Sequence, residues 1–278
     1  MKRMLGFVFA AALAVTVSAQ DKPLVVGFDG TFAPHAMPKL GGGIEGFNVD
    51  LILEAGKRMN RKVEIFAGEF SGLIPAMQSG KLSFVGAPTT VTPERAKTLL
   101  FTEGYLNTFY QFVIPAGKPD IASLEALKGK TVASNKGSAY DKWLQENAAK
   151  YGWKAESYGT NADAMQAVAS GRADAGLSGN TTAAYAVLRS NKQIALSKLK
   201  VDQGLVWGAA FRKEDVALRN SVEEAFECMK LDGTMAKLHE KWFGVKPEPG
   251  SAAVTVYPGF GVPGMDGHDA AARTPKCK

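Results

Sequence analysis

Cysteine and histidine are the scarce residues of this 278-residue chain, with two of the first and three of the second. Two cysteines, Cys228 and Cys277, exclude a disulfide-dense scaffold and a Cys-x-x-Cys motif for zinc or thiol exchange. The histidines are His35, His239 and His268, and no His-x-x-x-His, Ser-His-Asp or Cys-His spacing supports zinc chemistry or hydrolysis. Positive charge is in slight excess: 33 Lys and Arg against 27 Asp and Glu give +6, two units of which are Lys2 and Arg3. The bases neither cluster nor interleave with aromatics, so a nucleic-acid surface is excluded. Past residue 17 no apolar run approaches the ~20 residues of a membrane-spanning helix.

What is present begins with a leader. Lys2 and Arg3 precede an apolar run from Leu5 to Val17, and Val17-Ser18-Ala19 is a small-residue cleavage site. Residues 1–19 therefore read as a signal peptide. No cysteine follows the site, so the expected product is an exported protein without a lipid anchor. In such a compartment Cys228 and Cys277 can pair, closing a loop worth roughly 4 kcal/mol in the chain-entropy model. The alternative is a buried thiol at Cys228 and a free one at Cys277.

Strand and helix patterns then alternate. Leu24 to Phe28, Val63 to Phe66, Phe84-Val85 and Thr131 to Ala133 read as strands. Val49 to Met59, Leu73 to Gln78, Tyr140 to Tyr151 and Ala162 to Ala169 read as helices. Alternation of this kind argues an α/β fold with a mostly parallel sheet. "PAMQSGKLSFVGAP" (75–88) and "QAVASGRADAGLSG" (166–179) align without gaps, each a helix end, Ser-Gly plus a base, and an apolar strand. Two lobes of like construction follow, each presenting a strand end, and ligands of open α/β sheets sit outside such ends. Phe109 to Gly117 reads as a first crossing between lobes and Leu196 to Phe211 as the return. Helices follow near Glu214 to Leu231 and Thr234 to Phe243. The expected division is 20–113 for lobe 1, 114–203 for lobe 2, 204–244 for the rest of lobe 1, and 245–278 for a Gly- and Pro-rich tail. The tail is ordered only where something ties it down.

One residue is out of place. Thr92-Pro93-Glu94 is a helix start, with a hydroxyl cap, proline at the first helical position and an acid behind it. Arg95 then falls in the first turn, where the helix dipole disfavours a cation by up to about 1 kcal/mol.

The chain resembles the periplasmic solute-binding proteins of polar amino-acid ABC importers, whose fold is the two-lobed type II binding fold with two hinge crossings. The resemblance runs from Leu24 to Gly244 and rests on "VGFDGTFAPHAM", "GFNVDLILEAGKRM", "EFSGLIPAMQSGK", "TTVTPERAKTLLFTEGY", "LKGKTVASNKGSAYDKWL", "SGRADAGLSG" and "RKEDVALRNSVEEAFECMKLDGTMAKLHEKWFG" in that order. It implies that Arg95 turns into the cleft and takes a ligand carboxylate, helped by Thr90; a guanidinium matches a carboxylate bidentately. It also implies that Phe32 and Phe70 sandwich the ligand and that the Pro88 carbonyl accepts from an amino group. Asp29 matches a position that in some relatives reaches a basic side chain, and it could equally cap its strand. Ser138, the Ala139 N–H and Tyr140 are the implied second-lobe contacts. The implied partners are a small carboxylate or amino acid and an inner-membrane ABC permease. A monomer is expected, with no metal, cofactor or catalytic residue.

The resemblance also implies that the strand end at Gly179 closes over the ligand with the Ser138 loop, but the sequence departs from the family pattern there, since relatives place an aspartate at Gly179 that pairs with the ligand's α-ammonium. Losing one partner of a buried charge pair costs about 2–5 kcal/mol. Either Glu69 or Asp29 substitutes, or the ligand is a carboxylate without an α-ammonium. Ser83 also replaces a common acid. A periplasmic dehydratase of cyclic acids shares this fold, which keeps an enzyme as the rival reading. It would need an acid or base in the cleft, and His35 reads as a packing histidine.

Overall fold

A computed structural model describes residues 22–277; the leader expected over 1–19 lies outside the described residues. In lobe 1, β1 (Leu24–Phe28) lies between β4 (Val63–Ala67) and β5 (Phe84–Thr90), all parallel. Every residue of β5 is buried, as expected of a parallel strand covered on both faces. A two-residue hairpin, β2 (Met37–Pro38) with β3 (Ile44–Glu45), leads into α1 (Phe47–Arg58). Helix α1 buries Phe47, Leu51, Ile52 and Ala55, a 3.6-residue stripe. Then come α2 (Phe70–Gln78), the single-turn α3 (Pro93–Ala96) and β6 (Leu99–Phe101).

In lobe 2, β8 (Thr131–Asn135) lies between β9 (Lys154–Tyr158) and β10 (Ala175–Gly179), again parallel. Its helices are α4 (Ala139–Tyr151), α5 (Asn161–Ala169) and α6 (Asn180–Arg189). Helix α4 starts where the Ser138 hydroxyl accepts the Asp141 N–H at 3.0 Å and stops at Gly152, whose φ of 76° suits the left-handed cap.

Two long antiparallel strands join the lobes: β7 (Leu106–Pro115) and β11 (Ile194–Arg212). They occupy the middle of one path, β4-β1-β5-β11-β7-β10-β8-β9, with β6 paired to β11 off the path. Their mutual register slips between Leu196 and Lys200 and again between Val201 and Leu205. Such irregularities bend strands locally, and these two fall on the segment that passes between the lobes.

The chain ends on α7 (Val216–Leu231), α8 (Thr234–Phe243) and the tail. The tail is tied down along its length. Cys228 on α7 is joined to Cys277 by a disulfide, Cα atoms 5.4 Å apart. Glu103, Glu223 and Glu227 are buried under the tail. The N–H of Tyr257 donates to Glu103 at 2.8 Å, that of Gly261 to Glu223 at 2.7 Å, and the Arg273 guanidinium to Glu227. Lys230 completes the network, donating to Glu103 and, at 2.9 Å, to the Thr255 carbonyl.

Candidate ligand cleft

The carboxyl ends of β1 and β5 face that of β8 across a narrow cleft. Arg95 reaches it from α3, where the Thr92 hydroxyl caps the helix by accepting the Arg95 N–H at 3.3 Å. Its guanidinium donates to the Thr90 carbonyl at 3.0 Å and, across the lobes, to the Gly137 carbonyl at 3.0 Å. It also stands 5.7 Å from the Phe70 ring centroid, a cation–π contact. Burial draws its pKa below the ordinary arginine value, and the Tyr140 and Tyr110 rings oppose this. So Arg95 points inward, its hydrogen bonds made with carbonyls and none with an acid, which leaves its charge to be matched by an incoming anion.

The expected residues mostly converge. Asp29, Phe32, Phe70, Pro88, Thr90 and Arg95 line the cleft from lobe 1, and Ser138, Ala139 and Tyr140 from lobe 2. Asp29 follows β1; its carboxylate accepts from the N–H and hydroxyl of Thr31 at 3.0 and 2.7 Å, and from Asn135 of the other lobe at 3.2 Å. Strand-end capping and cleft lining are thus combined in one side chain. Within the second-lobe loop the Gly137 N–H donates to Asp141 and the Ser138 N–H to the Asn135 carbonyl. The Ala139 N–H, first in its helix, has no intrahelical acceptor to satisfy it. Burial pushes the Tyr140 hydroxyl pKa up, so it is a neutral donor.

Gly179 does not line the cleft. A Cβ built there would lie 2.5 Å from Trp207 Cζ2 and 2.6 Å from the Tyr140 hydroxyl oxygen, so no side chain fits without displacing both. Glu69, the residue before α2, is exposed and also outside the lining. Ser83 has a structural task, its hydroxyl accepting the Val25 N–H at 3.1 Å. His35 is fully buried between Asn48, 3.0 Å from Nδ1, and Thr181, 2.8 Å from Nε2. Burial lowers its pKa to about 3, so it is neutral and packed, outside the lining.

Two lining residues, Ala87 and Asn135, and the neighbouring Trp207 carry no sequence signal as site residues. Asn135 ends β8, and its place at a strand's carboxyl end was the one available pointer.

The sequence profile of the bacterial extracellular solute-binding proteins, family 3, matches residues 24–245. This chain belongs to that family. Over 254 residues it is 32% identical to the probable amino-acid-binding protein YxeM of Bacillus subtilis (strain 168), covering 87% of this chain and 96% of that one. Among solved structures, an ancestral arginine-binding protein bound to arginine superposes with a TM-score of 0.76 at 35% identity, over 81% of this chain and all of the other. An ancestral amino-acid-binding protein described as a precursor of cyclohexadienyl dehydratase gives 0.72 at 33% identity, over 80% and 95%. The two-lobed type II architecture is that of these family 3 relatives. No helix among the described residues is long and apolar enough to cross a membrane.

Proposed function

We propose that this family 3 protein is the substrate-binding component of an ABC importer, capturing an amino acid or similar small carboxylate by cleft closure and handing it to an inner-membrane permease. The observation that carries this is the Arg95 guanidinium, held in the cleft without an acidic partner beside the Phe32 and Phe70 rings. Phe32, Phe70, Pro88, Thr90 and Arg95 hold the ligand first; Ser138, Ala139 and Tyr140 then close over it. Closure turns about β7 and β11 at the lobe division proposed near residues 113 and 203. The protein works in the periplasm as a monomer, after removal of residues 1–19 and without a lipid anchor. No residue is assigned a catalytic role, and no metal or cofactor is invoked. The test is a thermal-shift panel of L-amino acids and their deaminated counterparts. A ligand at about 100 times its Kd adds ~2.7 kcal/mol, and Arg95→Ala should abolish the shift. A panel without an Arg95-dependent shift overturns the reading, and a ligand released chemically altered makes the protein an enzyme.

A further inference from the structure

The tail lies beyond the region that the family profile matches, residues 24–245, and capture as proposed above makes no use of it. It is fixed at both ends, leaving α8 at Gly244 and returning to α7 through the Cys228–Cys277 disulfide. Between these ends it runs along the lobe 1 roots of the two crossing strands. The Ala252 N–H donates to the Asn107 side-chain oxygen at 2.8 Å, and Asn107 on β7 is paired in register with Val206 on β11. Val206 packs with Val262 and Met265 of the tail against one buried cluster of lobe 1. Tyr257, Val262 and Met265 share a groove with Gly204, Leu205 and Val206. Just before β7, the Gly104 carbonyl accepts at 2.7 Å from the Lys230 ammonium that also holds the Thr255 carbonyl.

These contacts stop where the strand pair bends. The β7–β11 register slips between Val201 and Leu205. Within that gap Gly204 has a φ of 64° and donates its N–H to Asp202 at 3.1 Å. The tail therefore grips both strands on the lobe 1 side of the bend and directly beside it. A strand pair pinned there can move only at the bend itself. Unpinned, the ligand-free molecule samples more open arrangements, and closing must then order more of the chain.

We infer that the tail is a strap that confines the hinge, fastened by Cys228–Cys277, so that reducing this disulfide loosens the hinge and weakens capture. The inference rests on the capture reading above for the hinge that it confines. The reductant is a dithiol. Cys277 is exposed and Cys228 is buried, so attack enters at Cys277. A thiolate of the dithiol bonds to the Cys277 sulfur, the S–S bond breaks, and Cys228 leaves as a thiolate that takes up a proton. The dithiol's second thiolate then displaces Cys277, which is protonated in turn. Two electrons have passed to the protein, and the dithiol has become a disulfide.

Amide hydrogen exchange and X-ray scattering on the ligand-free mature chain, oxidised and after reduction by dithiothreitol, test it. Reduction is expected to speed exchange at residues 105–108 and 205–208 by about tenfold or more, to leave β8 of lobe 2 unchanged, and to raise the radius of gyration. Unchanged exchange at the hinge, or equal speeding in β8, overturns the inference. Should the reduced chain unfold, Asn107→Ala with the disulfide intact carries the test. It removes the acceptor of the Ala252 N–H, and hinge exchange as slow as in wild type overturns the inference. Calorimetric titration of both redox forms with the L-amino acids of the thermal-shift panel reads the effect on capture. The reduced form is expected to bind about threefold or more weakly, and equal affinity overturns the link to capture. If no amino acid or deaminated acid binds either form, the capture reading falls, and exchange at the hinge still decides the strap.

Discussion

At the scale of single residues, two substitutions separate the jobs of the cleft's neighbours. Arg95 tolerates the first turn of α3 because its guanidinium leaves the helix and bonds the Thr90 and Gly137 carbonyls. The helix itself depends on Thr92, so Thr92→Ala should lower unfolding free energy by about 1 kcal/mol. Denaturant melts will show this; an unchanged midpoint would mean the cap contributes nothing. Gly179 is glycine for want of space. Gly179→Ala forces a methyl onto the Trp207 ring and the Tyr140 hydroxyl, an overpacking that costs about 1–3 kcal/mol. A melting temperature equal to wild type would show that the contact relaxes freely. The same crowding explains why an acid at this position, which the family resemblance leads one to expect, is absent.

At the scale of elements, the tail is a strap whose anchors are carboxylates under cover. Glu103, Glu223 and Glu227 bring oxygens within 4.8 Å of one another. A cation is not needed there, since Lys230 and Arg273 already donate to Glu103 and Glu227. Breaking the staple with Cys228→Ser and Cys277→Ser should cost about 4 kcal/mol in the chain-entropy model and open the segment after residue 245 to proteolysis. An equally resistant double variant would place the strap's strength in the acids alone. The acids also set a pH dependence. Burial pushes Glu223 from its ordinary 4.5 up to about 8, against the pull of the Gly261 N–H, and Glu227 up to about 6. Between 4.5 and 8 the folded chain therefore keeps a proton that the unfolded chain has released, and stability falls as pH rises through that window. Arg219, Arg273, Lys230 and Glu103 face this cluster. Glu223→Gln should flatten the decline of melting temperature with pH, and a slope identical to wild type would assign it to other groups.

At the scale of the whole molecule, the legible parts are those that repeat a pattern. β1, β5, α1 and α8 follow from apolar spacing, and the two crossings follow from long extended runs; β7 begins three residues before its run and ends two residues short of it, and β11 extends its run at both ends. β9, β6 and α6 are not read from the sequence, because β9 and α6 present mixed faces and β6 is three residues long. Arg95 is legible because it violates a local rule. Asn135 and Trp207 are not, because nothing local distinguishes them until two lobes and a crossing strand bring them together. That assembly is also what holds the cleft shut. Side-chain contacts that join lobe 1 to lobe 2 include Arg95 to the Gly137 carbonyl, Asn135 to Asp29, Lys142 to Glu94, Tyr185 to the Met37 sulfur, and His35 to Thr181 at 2.8 Å. Lys142 and Glu94 are exposed, so their pair adds little. His35 with Thr181 is different, because His35 is fully buried and stays neutral with a pKa near 3. Thr181→Val leaves its Nε2 unmatched when the lobes close, whereas in an open cleft water reaches the Thr181 side. The closed form then loses about 1–3 kcal/mol relative to the open one. Ligand affinity scales with the fraction of molecules able to close, so Thr181→Val should weaken binding by about tenfold for each 1.4 kcal/mol. Contacts of the ligand itself are untouched, since Thr181 lies outside the cleft lining. Scattering should show the ligand-free variant more expanded than wild type, with the two converging at saturating ligand. Weakened binding without that expansion would mean that Thr181 acts on the ligand directly; unchanged binding would mean that the His35 contact does not hold the lobes together.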